Sequence, residues 1–278
     1  MKAAVDGQLS EDQIASFHER GYIVVDFSLD QEMLDQIVEK VYPLYDEAYH
    51  QNPQAPARVQ DAWKTIDEVR RLATDSRIAV ALEQLLKRKP LPFQTLNFPI
   101  GTRQHTHSDS VHFSTIPKGF MAGVWVALED IDENNGPLSY YPGSHKLREY
   151  SMQDFNIEPG VGNYQEYEEC IQQLVDDEGL KPELGLLKKG EALIWHANLL
   201  HGGAAQEDLS RTRHSQVTHF YFEGCQYYTP MESTEDKPRF RHPYWIPNTP
   251  DFKLPEDRPF PIRVLIRVLN RLGIRGAS

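Results

Sequence analysis

The sequence predicts a mainly β domain of sandwich or barrel type behind a helical N-terminal flank. Short β-type runs at 93–98, 123–128, 138–141, 192–196 and 215–222 are separated by Gly, Pro and Asn. Apolar residues at helical spacing are instead concentrated in the first third. At 278 residues the chain fits one domain of this kind. Its expected layout is a helical flank at 1–90, a β core at 91–225 with an insert at 149–180, and an extension at 226–278.

Taken in order, Ser10 and Gln13 have capping-box spacing, Ile14, Phe17 and His18 recur helically, and Gly21 stops the pattern. A strand at 22–27 follows. Met33, Leu34, Ile37, Val38, Val41 and Tyr42 then form one stripe of a second helix over 30–45. Pro53 and Pro56 mark a loop, and 78–86 reads as a packed helix ending before Pro90. In the core, 216–222 alternates in the strand manner, and Asn134-Asn135-Gly136-Pro137 is a turn between two strands. The insert, with Tyr164, Tyr167, Ile171 and Leu174, reads as part helix and part lid. Together with Tyr227, Tyr228, Tyr244 and Trp245 it is expected to shape a pocket. No internal repeat is visible.

Composition narrows the function. A net charge of −12 repels phosphate backbones, so nucleic acid is an unsuitable partner. Cys170 and Cys225 stand far apart and the opening MKAAVDGQLSEDQ lacks an apolar run, so a reducing, cytoplasmic setting is expected. No stretch approaches the roughly 20 apolar residues of a membrane span. Hydrolase signatures (a nucleophile elbow, an H-E-x-x-H pair, a phosphate loop) are missing.

Of eleven histidines, most are expected to be ordinary hydrogen-bonding groups. His107-Ser108-Asp109 differs, because in a strand residues i and i+2 point to the same face and can share one ion. His201, ahead of Gly202 and Gly203 at the end of an apolar run, is the best third ligand, since the glycines permit close backbone approach. Two imidazoles and one carboxylate leave three positions open on iron(II), the arrangement of non-haem oxygenases. Arg213, just ahead of the run at 215–222, could clamp a carboxylate bidentately, and Arg211 competes for that role.

These motifs resemble the phytanoyl-CoA dioxygenase family of 2-oxoglutarate oxygenases over most of the chain. One block runs through His107-Ser108-Asp109, Val124-Trp125-Val126-Ala127-Leu128, Asn134-Asn135-Gly136-Pro137-Leu138 and Tyr141-Pro142-Gly143-Ser144-His145. A second holds Gly190-Glu191, His196, His201-Gly202-Gly203 and Arg213-His214-Ser215. The resemblance implies a double-stranded β-helix (jelly roll, cupin-like) with flanking helices. It also implies Fe(II) on His107, Asp109 and His201, and 2-oxoglutarate anchored by Arg213. Trp125 and Asn97 would line the cosubstrate pocket. His105 and His112 become pocket or structural residues, and His196 a second-choice ligand. Gly203 departs from relatives that carry a Ser touching the cosubstrate carboxylate.

The implied reaction uses O2 to hydroxylate an unactivated C–H bond of a small organic or lipid-like substrate, releasing succinate and CO2. Desaturation and cyclisation are the other outcomes of the same chemistry. Because Asp109 fills the position that related halogenases leave to chloride, chlorination is not expected. The alternative from another class is a jelly roll that holds zinc or nothing and only binds a small molecule.

Residues 261–278 carry four arginines and no acid, with Arg263, Arg267 and Arg271 opposite Ile262, Leu265, Ile266, Leu269 and Leu272. Such a helix either packs on the acidic body or meets a membrane surface or an anionic partner.

Overall fold

A computed structural model of the chain describes residues 4, 6–234 and 236–249. Its helices are α1 (Glu11–Arg20), α2 (Gln31–Val41), α3 (Glu47–Gln51), α4 (Asp67–Ala73), α5 (Ser76–Leu86) and α6 (Tyr164–Asp177). The strands are β1 (Tyr22–Asp26), β2 (Val59–Gln60), β3 (Pro90–Phe98), β4 (Ser114–Ile116), β5 (Met121–Ala127), β6 (Leu138–Tyr140), β7 (Glu183–Leu184), β8 (Glu191–His196), β9 (His201–Gly203), β10 (Ser215–Phe222), β11 (Gln226–Tyr228) and β12 (Phe240–Arg241).

Local chemistry explains the helix ends. Ser10 closes a full capping box with Gln13 on α1, and Gly21 ends it at φ 85°, a left-handed conformation that glycine adopts without a Cβ clash. α2 is shorter than its apolar stripe suggests: it stops at Val41 and continues as a 3-10 turn through Tyr42–Leu44. The reason is Pro43, which has no N–H to give the preceding turn.

The strands form a six-stranded sheet in the order β1-β8-β5-β10-β3-β2 and two three-stranded sheets, β7-β6-β9 and β12-β11-β4. All named pairings are antiparallel, including β10 against both β3 and β5. Together they make a jelly roll with a helical flank.

Alternation along the strands gives the large sheet two different faces. Val124, Val126, Ile194 and Phe220 point to the helices and share a core with Leu34, Ile37, Val69 and Leu82. Trp125, Leu193, Trp195, Val217 and Phe98 point the other way and pack with Tyr140 and Leu138 of β6. Burial of each large apolar side chain contributes about 1.5–3 kcal/mol, so both faces are fixed and a one-residue slip of register is strongly disfavoured. The inner face is where the functional side chains gather.

The Asn134–Pro137 turn is fastened from within. Asn135 is fully buried and its amide donates to the carbonyls of Asp130 and Thr212, at 3.0 and 3.1 Å, while its oxygen accepts from Asp132 N–H. The turn thereby holds the segment that leads into Arg213. No helix among the described residues is long and apolar enough to cross a membrane. The basic segment 261–278 lies outside the described residues.

Candidate active site

His107 and His201 are joined by the backbone itself. Each donates its N–H to the other's carbonyl at 2.9 Å, a two-residue antiparallel bridge that sets their imidazoles side by side with ring centroids 4.5 Å apart. Asp109 arrives differently from the strand expected of an i, i+2 pair: it opens a 3-10 turn over Asp109–Val111. Ser108, between the two, is extended (φ −114°, ψ 146°). One extended residue is sufficient to put its two neighbours on the same side. Ligand atoms of His107, Asp109 and His201 all lie within 4.8 Å of one another, and all three residues are buried.

The backbone also selects the imidazole tautomers. Nδ1 of His107 faces the His105 carbonyl and Nδ1 of His201 the Leu199 carbonyl, each at 2.9 Å. A carbonyl only accepts, so both Nδ1 atoms carry the proton and both Nε2 lone pairs are free for a metal. Burial pushes the His107 pKa down to about 3, reinforced by neighbouring His201, so the ring is neutral at physiological pH. For Asp109, burial favours the acid form, but the charges of His201, His219 and His107 and the Trp195 N–H bond outweigh it, holding the pKa below the usual carboxylate value. The result is a carboxylate set beside two imidazoles whose Nε2 atoms carry no backbone hydrogen bond.

Asp109 is oriented by Trp195, whose indole N–H donates to Oδ2 at 2.8 Å. That leaves Oδ1 toward His201 Nε2, 4.0 Å away. Trp195 reaches Asp109 because Gly123 lies opposite it in the β5–β8 register. A Cβ on Gly123 would stand 2.2 Å from Trp195 Cζ2. Gly123→Ala is therefore expected to cost about 1–3 kcal/mol in urea unfolding from overpacking and to weaken metal binding by displacing Trp195. Destabilisation with unchanged metal affinity would show that Asp109 does not depend on this indole.

The cluster opens onto a pocket of about 230 Å³. Its inner wall is Leu96, Phe98, Trp125, Leu138 and Val217, and there Arg213 is buried. Arg213 donates Nη1 to Ser215 Oγ at 2.7 Å, its guanidinium lies 5.3 Å from the Trp125 ring centroid, and its Nε has no partner. None of the ion pairs among the described residues involves it. Burial lowers its pKa to about 10, which still leaves a full positive charge at neutral pH. The competing Arg211 is engaged elsewhere, both Asp132 oxygens accepting from its Nη1 at 2.8 and 2.7 Å.

Trp125 lines the pocket, and its indole N–H is likewise buried without a partner. Asn97 does not line it. Gln94, Leu96 and Phe98 are the β3 residues that do, so Asn97, of opposite parity, faces the helical side, where its amide donates to Gln216 Oε1 at 3.3 Å. The close approach expected at the two glycines is present: a Cβ would be 2.8 Å from the Gln104 carbonyl at Gly202 and 2.6 Å from Arg103 N at Gly203. The latter leaves no room for a serine, and Thr102, whose Oγ1 would be 2.9 Å from that Cβ, brings a hydroxyl to the same place.

Of the other candidates, His105 is exposed and His112 lines the pocket. His196 is turned to Asn198 N–H and packs beside His145, away from the cluster. Tyr227 and Trp245 pack against the cluster of Phe93, Met121 and Tyr221, and none of the four C-terminal aromatics named above reaches the lining. The insert contributes α6, whose Tyr164 ring packs 4.8 Å from His112. Sequence reasoning missed His219: its Nε2 lies 3.7 Å from Asp109 Oδ2 and its Nδ1 3.0 Å from Gln94 Oε1. Its parity with Ser215 and Val217 was the available signal.

An antiparallel jelly roll with a buried two-histidine, one-carboxylate cluster beside an interior arginine has the donor arrangement that non-haem iron sites use. Residues 17–213 match the family described as Phytanoyl-CoA dioxygenase (PhyH), and the chain belongs to that family. It is 29% identical over 148 residues to phytanoyl-CoA dioxygenase domain-containing protein 1 of Danio rerio, covering 50% of this chain and 47% of that protein. To the peroxisomal phytanoyl-CoA dioxygenase of Homo sapiens it is 28% identical over 131 residues, covering 45% and 36%. The chain thus spans about half the length, or less, of these curated relatives.

Among solved structures, the fold is similar to the non-heme alpha ketoglutarate dependent epimerase SnoN from nogalamycin biosynthesis, with a TM-score of 0.62, 21% identity and coverage of 81% and 87%. It is also similar to EctD from S. alaskensis with 2-oxoglutarate and 5-hydroxyectoine, with a TM-score of 0.60, 19% identity and coverage of 89% and 85%.

The donor set fits ferrous iron: two free imidazole nitrogens and one carboxylate oxygen converge from one side. The unpaired Arg213 Nε and Trp125 Nε1 fit a carboxylate-bearing cosubstrate, since buried donors without partners each cost about 1–3 kcal/mol until an acceptor arrives.

Proposed function

We propose that the chain is an Fe(II)- and 2-oxoglutarate-dependent oxygenase that hydroxylates an unactivated C–H bond of a small organic or lipid-like substrate. The observation that carries this reading is the adjacency of the His107, Asp109 and His201 cluster to a buried arginine with no carboxylate of its own. Family membership supports it. A reducing, cytoplasmic setting agrees with the two free cysteines.

When bound, ferrous iron with 2-oxoglutarate and dioxygen supplies the oxidant, and the cosubstrate leaves as succinate and CO2. The protein's work is placement. His107, Asp109 and His201 would hold the metal, and Trp195 keeps the Asp109 carboxylate turned so that Oδ1 is on the side of His201 Nε2. Arg213 takes the distal carboxylate of 2-oxoglutarate in a region closed off by Phe98, Leu96 and Val217, where exclusion of water strengthens the pair. Trp125 Nε1 offers a further donor to the same ligand.

Purified protein given Fe(II), 2-oxoglutarate and air is expected to release succinate even without its substrate, and 18O2 to label that succinate. With the substrate, 18O is expected in the hydroxylated product. Metal retention with no succinate under any loading would instead favour a jelly roll that only binds small molecules.

A further inference from the structure

The pocket lining is mixed in chemistry. Besides the buried Arg213 and its apolar surroundings, the lining includes the exposed Arg58 and Gln60 and the half-buried Gln94, Gln104 and His112. Gln60 in β2 pairs with Leu96 of β3, and residues facing one another across a ladder point to the same side, so Gln60 shares the pocket face with Leu96. Arg58 stands two residues earlier and lines the same wall. It has no hydrogen-bond or ion-pair partner among the described residues, and its charge acts on the His112 imidazole.

Charge accounting singles this arginine out. In a chain of net charge −12, the pocket lining contains Arg58 and Arg213 and, among the described residues, a single carboxylate, Asp109. With iron and 2-oxoglutarate in place, the metal's two positive charges and the one on Arg213 are offset by Asp109 and the two cosubstrate carboxylates. Arg58 is left uncompensated. A second cation, Arg241, stands behind the same wall, 4.8 Å from the Phe113 ring centroid and without an ion pair among the described residues. Glu168 touches Gln104 from α6 but does not line the pocket. An arginine flanked by amide donors offers several N–H groups to one planar anion.

We propose that Arg58, with Gln60 and Gln104 of the same pocket lining, is the subsite for a carboxylate of the primary substrate, which is therefore a carboxylic acid. This rests on the oxygenase reading for its meaning but is tested without turnover. Protein loaded with Zn(II) and saturating 2-oxoglutarate is examined by saturation-transfer NMR with butyrate, butyramide and methyl phosphate as probes. Butyrate is expected to bind and the neutral amide not to. Arg58→Gln should weaken butyrate by about ten-fold or more, the loss typical of a hydrogen bond to a charged group, with Arg58→Lys between the two.

Equal binding of acid and amide, no butyrate binding, or unchanged binding in Arg58→Gln would each overturn the subsite. Tighter, Arg58-dependent binding of methyl phosphate would overturn the carboxylate assignment. Because zinc cannot support turnover, butyrate binding alongside absent succinate release from the iron-loaded protein would leave the subsite standing and remove the oxygenase reading, whereas the reverse pattern would remove only the subsite.

Discussion

Asp109→Ala is expected to lower iron affinity by more than about 100-fold and to abolish 2-oxoglutarate turnover with it. Changes to the hydrogen-bond partners of metal ligands already cost 10–100-fold, and loss of a ligand exceeds loss of its support. Asp109 is also the only carboxylate in the cluster, so its removal leaves a divalent cation in a buried site with no negative charge opposite it. Alanine introduces no new charge, so the fold is retained. Equilibrium dialysis with Fe(II) under anaerobic conditions, paired with succinate release, gives both readouts. Wild-type iron affinity in this variant would remove Asp109 from the ligand set.

Arg213→Met is expected to separate stability from cosubstrate binding. In the metal-free protein the guanidinium is almost fully buried, has one hydrogen bond to Ser215, and lacks a carboxylate partner. Burial lowers its pKa from the ordinary guanidinium value to about 10, so the charged form is disfavoured by roughly 3 kcal/mol at neutral pH. The sign is that of a base with a lowered folded-state pKa: the cost applies at any pH below about 10.

A methionine of similar length removes that cost, and replacing buried charges with apolar groups is often neutral or stabilising. The thermal midpoint of the metal-free variant should therefore equal or exceed that of wild type. Its affinity for 2-oxoglutarate should nonetheless drop by about 100-fold or more, the equivalent of a lost buried charge pair. Calorimetric titration of 2-oxoglutarate into the metal-loaded forms measures this. Arg211→Gln serves as the contrast, because Arg211 is occupied by Asp132 at the half-exposed rim and its loss should leave cosubstrate affinity unchanged.

What could be read from the sequence was local. The capping box at Ser10, the inward alternation of 215–222 and the His-x-Asp spacing all depend on residues close in the chain, and each has a counterpart in the structure. The family resemblance rested on the order of such motifs and is matched over residues 17–213.

What was not legible depends on register between distant strands. Asn97 and Leu96 differ only in parity, and which of them meets the pocket is decided by pairing of β3 with β10 and β2. Trp195 can orient Asp109 only because Gly123 lies opposite it, a relation no spacing rule contains. His219 is separated from Asp109 by over a hundred residues of chain and enters the site through the same antiparallel pairing. The C-terminal aromatics expected at the pocket pack elsewhere, Tyr227 and Trp245 against the Phe93 and Tyr221 cluster and Tyr244 on Trp63.

An anaerobic titration of the metal-free protein with Fe(II) and 2-oxoglutarate, followed by the visible charge-transfer absorption that a 2-oxo acid gives when it chelates ferrous iron, tests the site most directly. One iron and one 2-oxoglutarate per chain, with the absorption lost in Asp109→Ala and shifted to much higher cosubstrate concentration in Arg213→Met, is the predicted result. Absence of the band at saturating concentrations of both, or its persistence in Asp109→Ala, would contradict the assignment.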